Sequence, residues 1–239
     1  MSQNIYDRDE FFAGYAQLRR SQEGLAGAPE WPSLRALLPP LRRARVLDLG
    51  CGFGWFSRYA REEGARHVLG IELSEKMLER ARSMGTDPAI EYRRADLEDV
   101  ALPEGAFDLA FSSLALHYVV DLGGLLARVS RALAPGGSLV VSMEHPIFMA
   151  PSRPGWVAGN VWPLDGYCRE GERVTDWFTK GVVKQHRMLG TTLNLMMRAG
   201  FRLAHLEEWA PTAAQIAAEP VLGKELERPM FMLISARKD

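Results

Sequence analysis

Cysteine is scarce in this chain: two in 239 residues, Cys51 and Cys168. That excludes a disulfide-stapled fold. Because Cys51 also lies inside a glycine-rich loop, where a disulfide is awkward, the expected setting is reduced, intracellular and cytoplasmic. An excess of charge of one sign is missing too. Lys and Arg number 29 against 30 Asp and Glu, a net charge of −1, which disfavours a nucleic-acid binder with a basic footprint. The pairs Arg19-Arg20, Arg42-Arg43 and Arg93-Arg94 read as solvated helix ends and loop edges, not a phosphate track. No window approaches the roughly 18 uninterrupted apolar residues of a membrane span. The start, Met1 to Glu10, is polar and lacks the apolar stretch of a secretory leader. No internal repeat or low-complexity tract is present.

What remains is ordinary globular material, 47% hydrophobic and 25% charged, enough for one α/β domain carrying an insertion. The informative stretch is Val46-Leu47-Asp48-Leu49-Gly50-Cys51-Gly52-Phe53-Gly54-Trp55. It reads as a buried strand ending on an acid, three glycines at alternate positions, and a helix start. Glycines let the chain turn sharply and let backbone N–H groups at a helix N-terminus approach a ligand, so this is a cofactor cradle. It departs from the dinucleotide fingerprint G-x-G-x-x-G/A. The third glycine comes one residue early, and Trp55 stands where that pattern needs Gly or Ala for close helix packing.

From Arg45 onward strands and helices alternate: strands over 45–49, 67–71, 90–94, 106–112 and 137–143, helices over 54–63, 74–84 and 122–133. Ser74 is the expected N-cap of the second of these helices, and Pro135-Gly136-Gly137 follows the third. Such alternation predicts a doubly wound, largely parallel sheet. Ahead of it, residues 7–20 put Phe11, Phe12, Tyr15 and Leu18 on one helical face, and a short helix is expected over 31–38 before Pro39-Pro40. After it, 144–188 turns rich in Pro, Gly and aromatics, with a hairpin expected over 172–186. A helix near 190–199, ended by Gly200, and strands 201–209 and 230–236 close the chain. The predicted organisation is one domain, 1–239: an N-terminal helical lid (1–40), a cofactor-binding core (45–143), an inserted cap (144–188) and a C-terminal part of the sheet (189–239).

Ligands of a parallel sheet gather at the carboxyl ends of its strands. Glu72 ends the second strand, where a carboxylate can accept from ribose hydroxyls; by itself it does not distinguish NAD from other adenosine cofactors. Asp96 ends the third, and either accepts from an adenine amine, with Leu97 beside the ring, or caps the turn that follows.

Val46 to Gly54, Glu72, Asp96, the strand Phe107 to Ser113 and the segment Arg131 to Leu139 form an ordered set. This set resembles the motif series of the class I S-adenosylmethionine-dependent methyltransferases, most closely over 45–143. The resemblance implies a Rossmann-like seven-stranded sheet whose last strand is antiparallel. It implies S-adenosyl-L-methionine as cofactor, released as S-adenosyl-L-homocysteine after transfer. By position, Gly50, Cys51, Gly52 and Gly54 hold the methionine part and Asp48 its ammonium group. Glu72 holds the ribose, Leu73 and Met77 border the adenosine, Asp96 and Leu97 meet the adenine, and Ser112 lies beside the sulfonium. Two rival readings stand beside this one. A nicotinamide-dependent oxidoreductase is disfavoured by Trp55 and by the lack of a Tyr-x-x-x-Lys relay; the other is a regulatory protein that keeps the cofactor fold without turnover.

Methyl transfer from a sulfonium is a direct displacement and needs a base only if the acceptor arrives protonated. The candidate bases are His117, His145 and His186, with Glu144 beside them. A metal site at Glu144, His145 and His186 lacks ligand-like spacing, so none is expected. Tyr15, Arg19, His117 and Trp156 are the expected acceptor contacts. The chain lacks a Pro-Pro-aromatic turn after the fourth strand, and neither cysteine follows a proline. Base methylation is therefore disfavoured, and the expected acceptor is a small molecule, with no nucleic-acid or membrane partner, on a monomer or homodimer.

Overall fold

The order of strands reverses once across the sheet, and that reversal makes the crevice where the glycine loop sits. The structure, a computed structural model, describes residues 3–157 and 160–239. Met1 and Ser2 of the expected lid, and Ala158 and Gly159 of the expected cap, lie outside the described residues. In chain order the helices are α1 (Asp9–Ala16), α2 (Arg19–Gln22) and α3 (Trp31–Ala36), then β1 (Arg45–Leu49), α4 (Trp55–Glu62), β2 (His67–Glu72), α5 (Glu75–Ser83) and β3 (Ile90–Arg94). There follow β4 (Phe107–Ser113), α6 (Leu122–Ala132), β5 (Leu133–Glu144), α7 (Pro146–Met149), β6 (Gly171–Trp177) and β7 (Thr179–His186). The chain ends with α8 (Leu189–Arg198), β8 (Phe201–Glu208), α9 (Ala213–Ala218) and β9 (Phe231–Lys238).

Seven strands form one sheet in the order β3-β2-β1-β4-β5-β9-β8, while β6 and β7 pair as a separate hairpin. All pairs from β3 to β5 are parallel, and β9 runs antiparallel to both β5 and β8. The last strand is thus the reversed one, a Rossmann-like sheet. Central β1 is apolar on both faces because helices cover both. Leu47 and Leu49 join the core under α6, while Val46 on the opposite face joins Phe56 and Ala60 of α4 and Trp31 and Leu34 of α3. Phe56 stacks on Phe111 of β4 with ring centroids 3.5 Å apart, which fixes α4 over the sheet.

Three boundaries differ from expectation for local reasons. The single helix predicted over 7–20 is a 3₁₀ turn (Ile5–Asp7) followed by α1 and α2. Arg8 and Leu18 are extended there (ψ 130° and 144°), and Asp7 is drawn off to cap another helix. The helix expected to reach 38 stops at Ala36, since Pro39 disfavours a helical Leu38. Strand β5 starts at Leu133, not 137: Leu133 pairs with Phe107 before the register shifts. Ser74 caps α5 as predicted, its Oγ accepting the Met77 N–H at 3.2 Å. Among the described residues no helix is long and apolar enough to cross a membrane.

Candidate active site

The loop Gly50 to Gly54 leaves β1 at the switch point between β1 and β4 and enters α4. Gly50, Gly52 and Gly54 all hold left-handed φ, at 71°, 52° and 69°. They do so for different ends. A Cβ on Gly50 would lie 2.4 Å from the Ala115 Cβ, and one on Gly54 only 2.1 Å from the Tyr92 hydroxyl, so these two serve chain packing. A Cβ on Gly52 would meet nothing within 4 Å; it would project into open space.

That space is part of a continuous cavity of about 620 Å³. Glu72 organises the end beside the glycine loop. Its Oε2 accepts the Gly52 N–H at 3.0 Å, and its Oε1 accepts the Leu73 and Ser74 N–H groups at 2.8 and 2.9 Å. Burial raises its pKa against the pull of these three donors. Oε2, with one partner, keeps a lone pair to offer. Asp48, almost fully buried, accepts from the Ser57 hydroxyl at 2.6 Å. Burial lifts its pKa to about 7 despite that bond, and the Glu72 charge adds to the rise. Cys51, Leu73, Met77, Asp96 and Leu97 also line the cavity. Asp96 lines the cavity and also serves the following turn, where its Oδ1 accepts the Glu98 N–H at 3.1 Å.

The far end is aromatic and carries ion pairs. Tyr6, Tyr15, His117, Tyr118, Glu144 and Lys184 line it together with Trp177 and Arg20. Lys184 on β7 donates to Glu144 at the end of β5 (2.5 Å), and its ammonium lies 5.0 Å from the Trp177 ring centre. His117 accepts the Glu144 N–H on Nδ1 at 3.5 Å. Burial lowers the His117 pKa to about 4, the facing Glu144 only partly opposing, and keeps the ring neutral. For Glu144 burial acts upward, but His117 and Lys184 hold the carboxyl below its usual range.

Two separate parts of the chain close over this end. A Cβ on Gly14 of α1 would lie 2.6 Å from the Phe178 ring, so helix and hairpin tip touch directly. Phe11 packs edge-on against Trp177 at 5.4 Å. The Gln3 side chain pairs with the hairpin edge, donating to the Gly181 carbonyl (2.7 Å) and accepting the Val183 N–H (3.0 Å).

Several expected site residues lie elsewhere. Ser112 is buried and donates to the Leu49 carbonyl at 2.9 Å; strand alternation gives the cavity its neighbour Ser113. Gly54 is not a lining residue and packs on Tyr92. Arg19 is exposed, paired with Glu23 and Glu219, while Arg20, next to it, lines the cavity. Trp156 is not a lining residue either: it meets Trp162 edge-on at 5.2 Å and faces the Arg228 guanidinium at 5.0 Å. His145 caps α7 through Nδ1 and pairs with Glu208 at 2.8 Å, and His186 bonds the Tyr167 carbonyl at 2.8 Å. Both rings stand outside the cavity lining, so of the three histidines His117 alone reaches it. Among the described residues no group of three His, Cys, Asp or Glu could hold a metal ion.

Lys184 and Tyr118 are not among the residues expected from sequence, whereas Tyr6, expected in the N-terminal segment over the acceptor, lines the cavity. Lys184 carried a signal: in Val182-Lys184-His186 it shares the alternate, inward face of β7 with an apolar residue.

A glycine loop at the switch point, a carboxylate at the next strand end and one continuous cavity beside them define a Rossmann-like, nucleoside-cofactor enzyme. Residues 47–141 match the family described as a methyltransferase domain. A solved S-adenosylmethionine-dependent methyltransferase from Mesorhizobium loti is 60% identical, with a TM-score of 0.87, over 90% of this chain and 100% of that one. A structure from Listeria monocytogenes is 38% identical, with a TM-score of 0.81, over 89% of this chain and 99% of that one. A malonyl-[acyl-carrier protein] O-methyltransferase of Pseudescherichia vulneris is 40% identical over 128 residues, 54% of this chain and 47% of that protein. The chain belongs to the S-adenosylmethionine-dependent methyltransferases, and the nicotinamide alternative falls away. The cavity suits that cofactor: Gly52 leaves it room, Glu72 has acceptor capacity, and the lining Trp55 has a buried indole N–H with no partner among the described residues.

Proposed function

We propose that this enzyme methylates a small molecule inside a closed chamber. Residues 1–40 act as lid and 144–188 as cap over the 45–143 core, and 189–239 completes the sheet. The observation that carries the reading is the continuity of one cavity from Gly52 and Glu72 to Tyr118 and Lys184, with α1 and the β6–β7 hairpin clasped above it. On this reading the Gly50–Gly54 loop and Asp48 hold the methionine part, Glu72 the ribose, Leu73 and Met77 the adenosine edge, and Asp96 and Leu97 the adenine. Ser113, not Ser112, borders the reacting end.

Bound there, S-adenosylmethionine supplies a methyl group on a positively charged sulfur. The chain's part is to exclude water and align the acceptor, which in a desolvated site can account for most of the acceleration. Tyr6, Tyr15, His117 and Trp177 shape the acceptor end. The malonyl-[acyl-carrier protein] enzymes act by name at an oxygen, and this chain matches about half of their length. That likeness supports an accepting group that is small in itself, free or carried on a protein, without assigning it. The free thiols of Cys51 and Cys168 support a reducing, cytoplasmic setting, and the net charge of −1 supports the absence of a nucleic-acid partner.

Calorimetry with S-adenosylhomocysteine, followed by a radiolabelled methyl-transfer screen over small metabolites, tests the proposal. Binding with transfer to at least one small acceptor is expected. Transfer confined to protein or nucleic acid would overturn it.

A further inference from the structure

Among the described residues, every candidate base at the acceptor end is already engaged by a protein donor. His117 is the lining residue best suited to that role, yet its Nδ1 lone pair receives the Glu144 N–H, so the neutral ring carries its proton on Nε2. That nitrogen faces Glu144 Oε1 at 4.0 Å. Glu144 in turn is held by the Lys184 ammonium. Asp176, the other carboxylate lining this end, is exposed and accepts the Gly181 N–H. An alcohol, phenol or ammonium acceptor would therefore enter protonated and stay so.

Donors, by contrast, are in surplus. Tyr6 donates its hydroxyl proton to the Tyr118 oxygen at 3.2 Å, which leaves the Tyr118 proton to point elsewhere. Lys184 has three N–H groups and, among the described residues, one protein acceptor, Glu144. Arg20 spends two of its five on Glu30, at 3.0 and 3.1 Å. Burial keeps the Tyr6 and Tyr118 phenols protonated; Tyr118 adds to the effect at Tyr6, and Glu144 adds to it at Tyr118, where the Tyr6 hydrogen bond partly opposes. Lys184–Glu144 and Arg20–Glu30 are each neutral as pairs, so their free N–H groups can serve an anion without either pair breaking, and the positive sulfonium attracts one.

We propose that the methyl acceptor is a carboxylate, received by the Tyr118 hydroxyl and the free N–H groups of Lys184 and Arg20 and methylated on oxygen. This rests on the function proposed above. A carboxylate oxygen forms the new C–O bond as the C–S bond breaks with its electron pair left on sulfur. Anion and sulfonium become a neutral ester and a neutral thioether, and no proton moves. The absence of a placed base is then a match to the substrate.

The test uses the full chain with S-adenosylhomocysteine bound. Phenylacetate and hexanoate are titrated by calorimetry against phenylacetamide, 4-methylphenol and 2-phenylethylamine, and the same compounds are offered with S-adenosylmethionine while methyl esters are sought by mass spectrometry. Binding of either carboxylate with ester formation is expected, and the neutral and cationic analogues should bind at least about tenfold more weakly. Tyr118→Phe and Lys184→Met should weaken carboxylate binding about tenfold or more, with Lys184→Arg recovering part of it and S-adenosylhomocysteine affinity changing by less than about twofold. Methylation of the phenol or amine in preference to the carboxylates, or failure of both carboxylates to bind, would overturn the inference and leave methyl transfer standing. Failure of S-adenosylhomocysteine itself to bind would overturn both.

Discussion

Asp7 caps a helix that begins 68 positions later in the chain. Its Oδ1 accepts from the Ser74 hydroxyl at 2.5 Å and from the Lys76 N–H at 3.2 Å, at the N-terminus of α5. Glu72, which binds the glycine loop, lies two residues before Ser74, so one short stretch ties the N-terminal segment to the cofactor end.

Asp7→Ala should lower stability by about 1–2 kcal/mol through loss of that cap. Urea unfolding measures this, and limited proteolysis of the first 20 or so residues reports whether the lid loosens. For Asp7, burial acts upward but the Ser74 and Lys76 hydrogen bonds win, and its pKa is lowered. The contribution is therefore present above the ordinary carboxyl pKa and lost as pH falls through the lower folded value. Wild type should lose more stability than the variant below about pH 4. Equal acid sensitivity in the two would contradict the assignment.

Glu72→Ala removes the acceptor for three backbone N–H groups and the group proposed to meet the ribose. S-adenosylhomocysteine binding should weaken by roughly 1–3 kcal/mol in calorimetry. His117→Ala, at the other end of the cavity, should change it by less than about twofold, as distant sites act independently. Unchanged affinity in the Glu72 variant would refute its role.

Gly52→Ala and Gly54→Ala should separate binding from folding. Both positions have left-handed φ, which costs a residue with a Cβ about 1 kcal/mol. At Gly54 the new carbon also meets the Tyr92 hydroxyl at 2.1 Å, so that variant should lose most in thermal stability. At Gly52 it enters open cavity, so folding should suffer little more than the φ cost while cofactor affinity falls. The reverse ordering would mean that the cavity at Gly52 is not where the cofactor lies.

Asp48→Asn should stabilise the ligand-free protein and weaken cofactor binding. Burial holds the Asp48 pKa near 7, above its unfolded value, the Ser57 hydrogen bond only partly opposing. Its favourable state is thus the protonated one, and the stability it supports is lost as pH rises through about 7. Denaturant melts at pH 8 should show a gain for the variant on the order of 1–3 kcal/mol, shrinking toward pH 5. A gain that does not vary with pH would point to packing instead.

Arg228→Ala should disorder the cap. The guanidinium sits over the rings of Phe148, Trp156 and Trp162 at 4.6, 5.0 and 4.2 Å and pairs with Glu225. Buried stacking of this kind contributes roughly 0.5–2 kcal/mol per ring, and Lys lacks the planar group to replace it. Protease cleavage within 150–165 should quicken in Arg228→Ala and, less so, in Arg228→Lys. Trp156→Ala should behave like the Arg228 variants and leave the acceptor KM nearly unchanged.

How much of this could be seen in the sequence depended on how far apart the interacting residues lie. The alternation of strands and helices, the Ser74 cap, the glycine loop and the acids Glu72 and Asp96 were legible because each rests on neighbours a few residues apart: period, turn chemistry, capping. The single 7–20 helix was misread because its first turn is taken up by a contact with α5, 67 residues away. The acceptor end was hardest. Tyr6, His117, Glu144 and Lys184 come from four segments, and no local pattern says that they meet; Arg19 and Arg20 differ only in which way the helix turns them. Ser112 and Ser113 differ by one step of a pleat.

Fold class and the glycine-loop crevice were thus set by local order along the chain, since a strand, a glycine turn and a helix build that crevice wherever they occur together. Which aromatics face the chamber, which histidine reaches it, and how helix α1 and the β6–β7 hairpin clasp over it were decided only in three dimensions. The reason is that side-chain contacts across large sequence separations are set by crossovers and by packing at the ends of the sheet. Neighbouring residues carry no record of those.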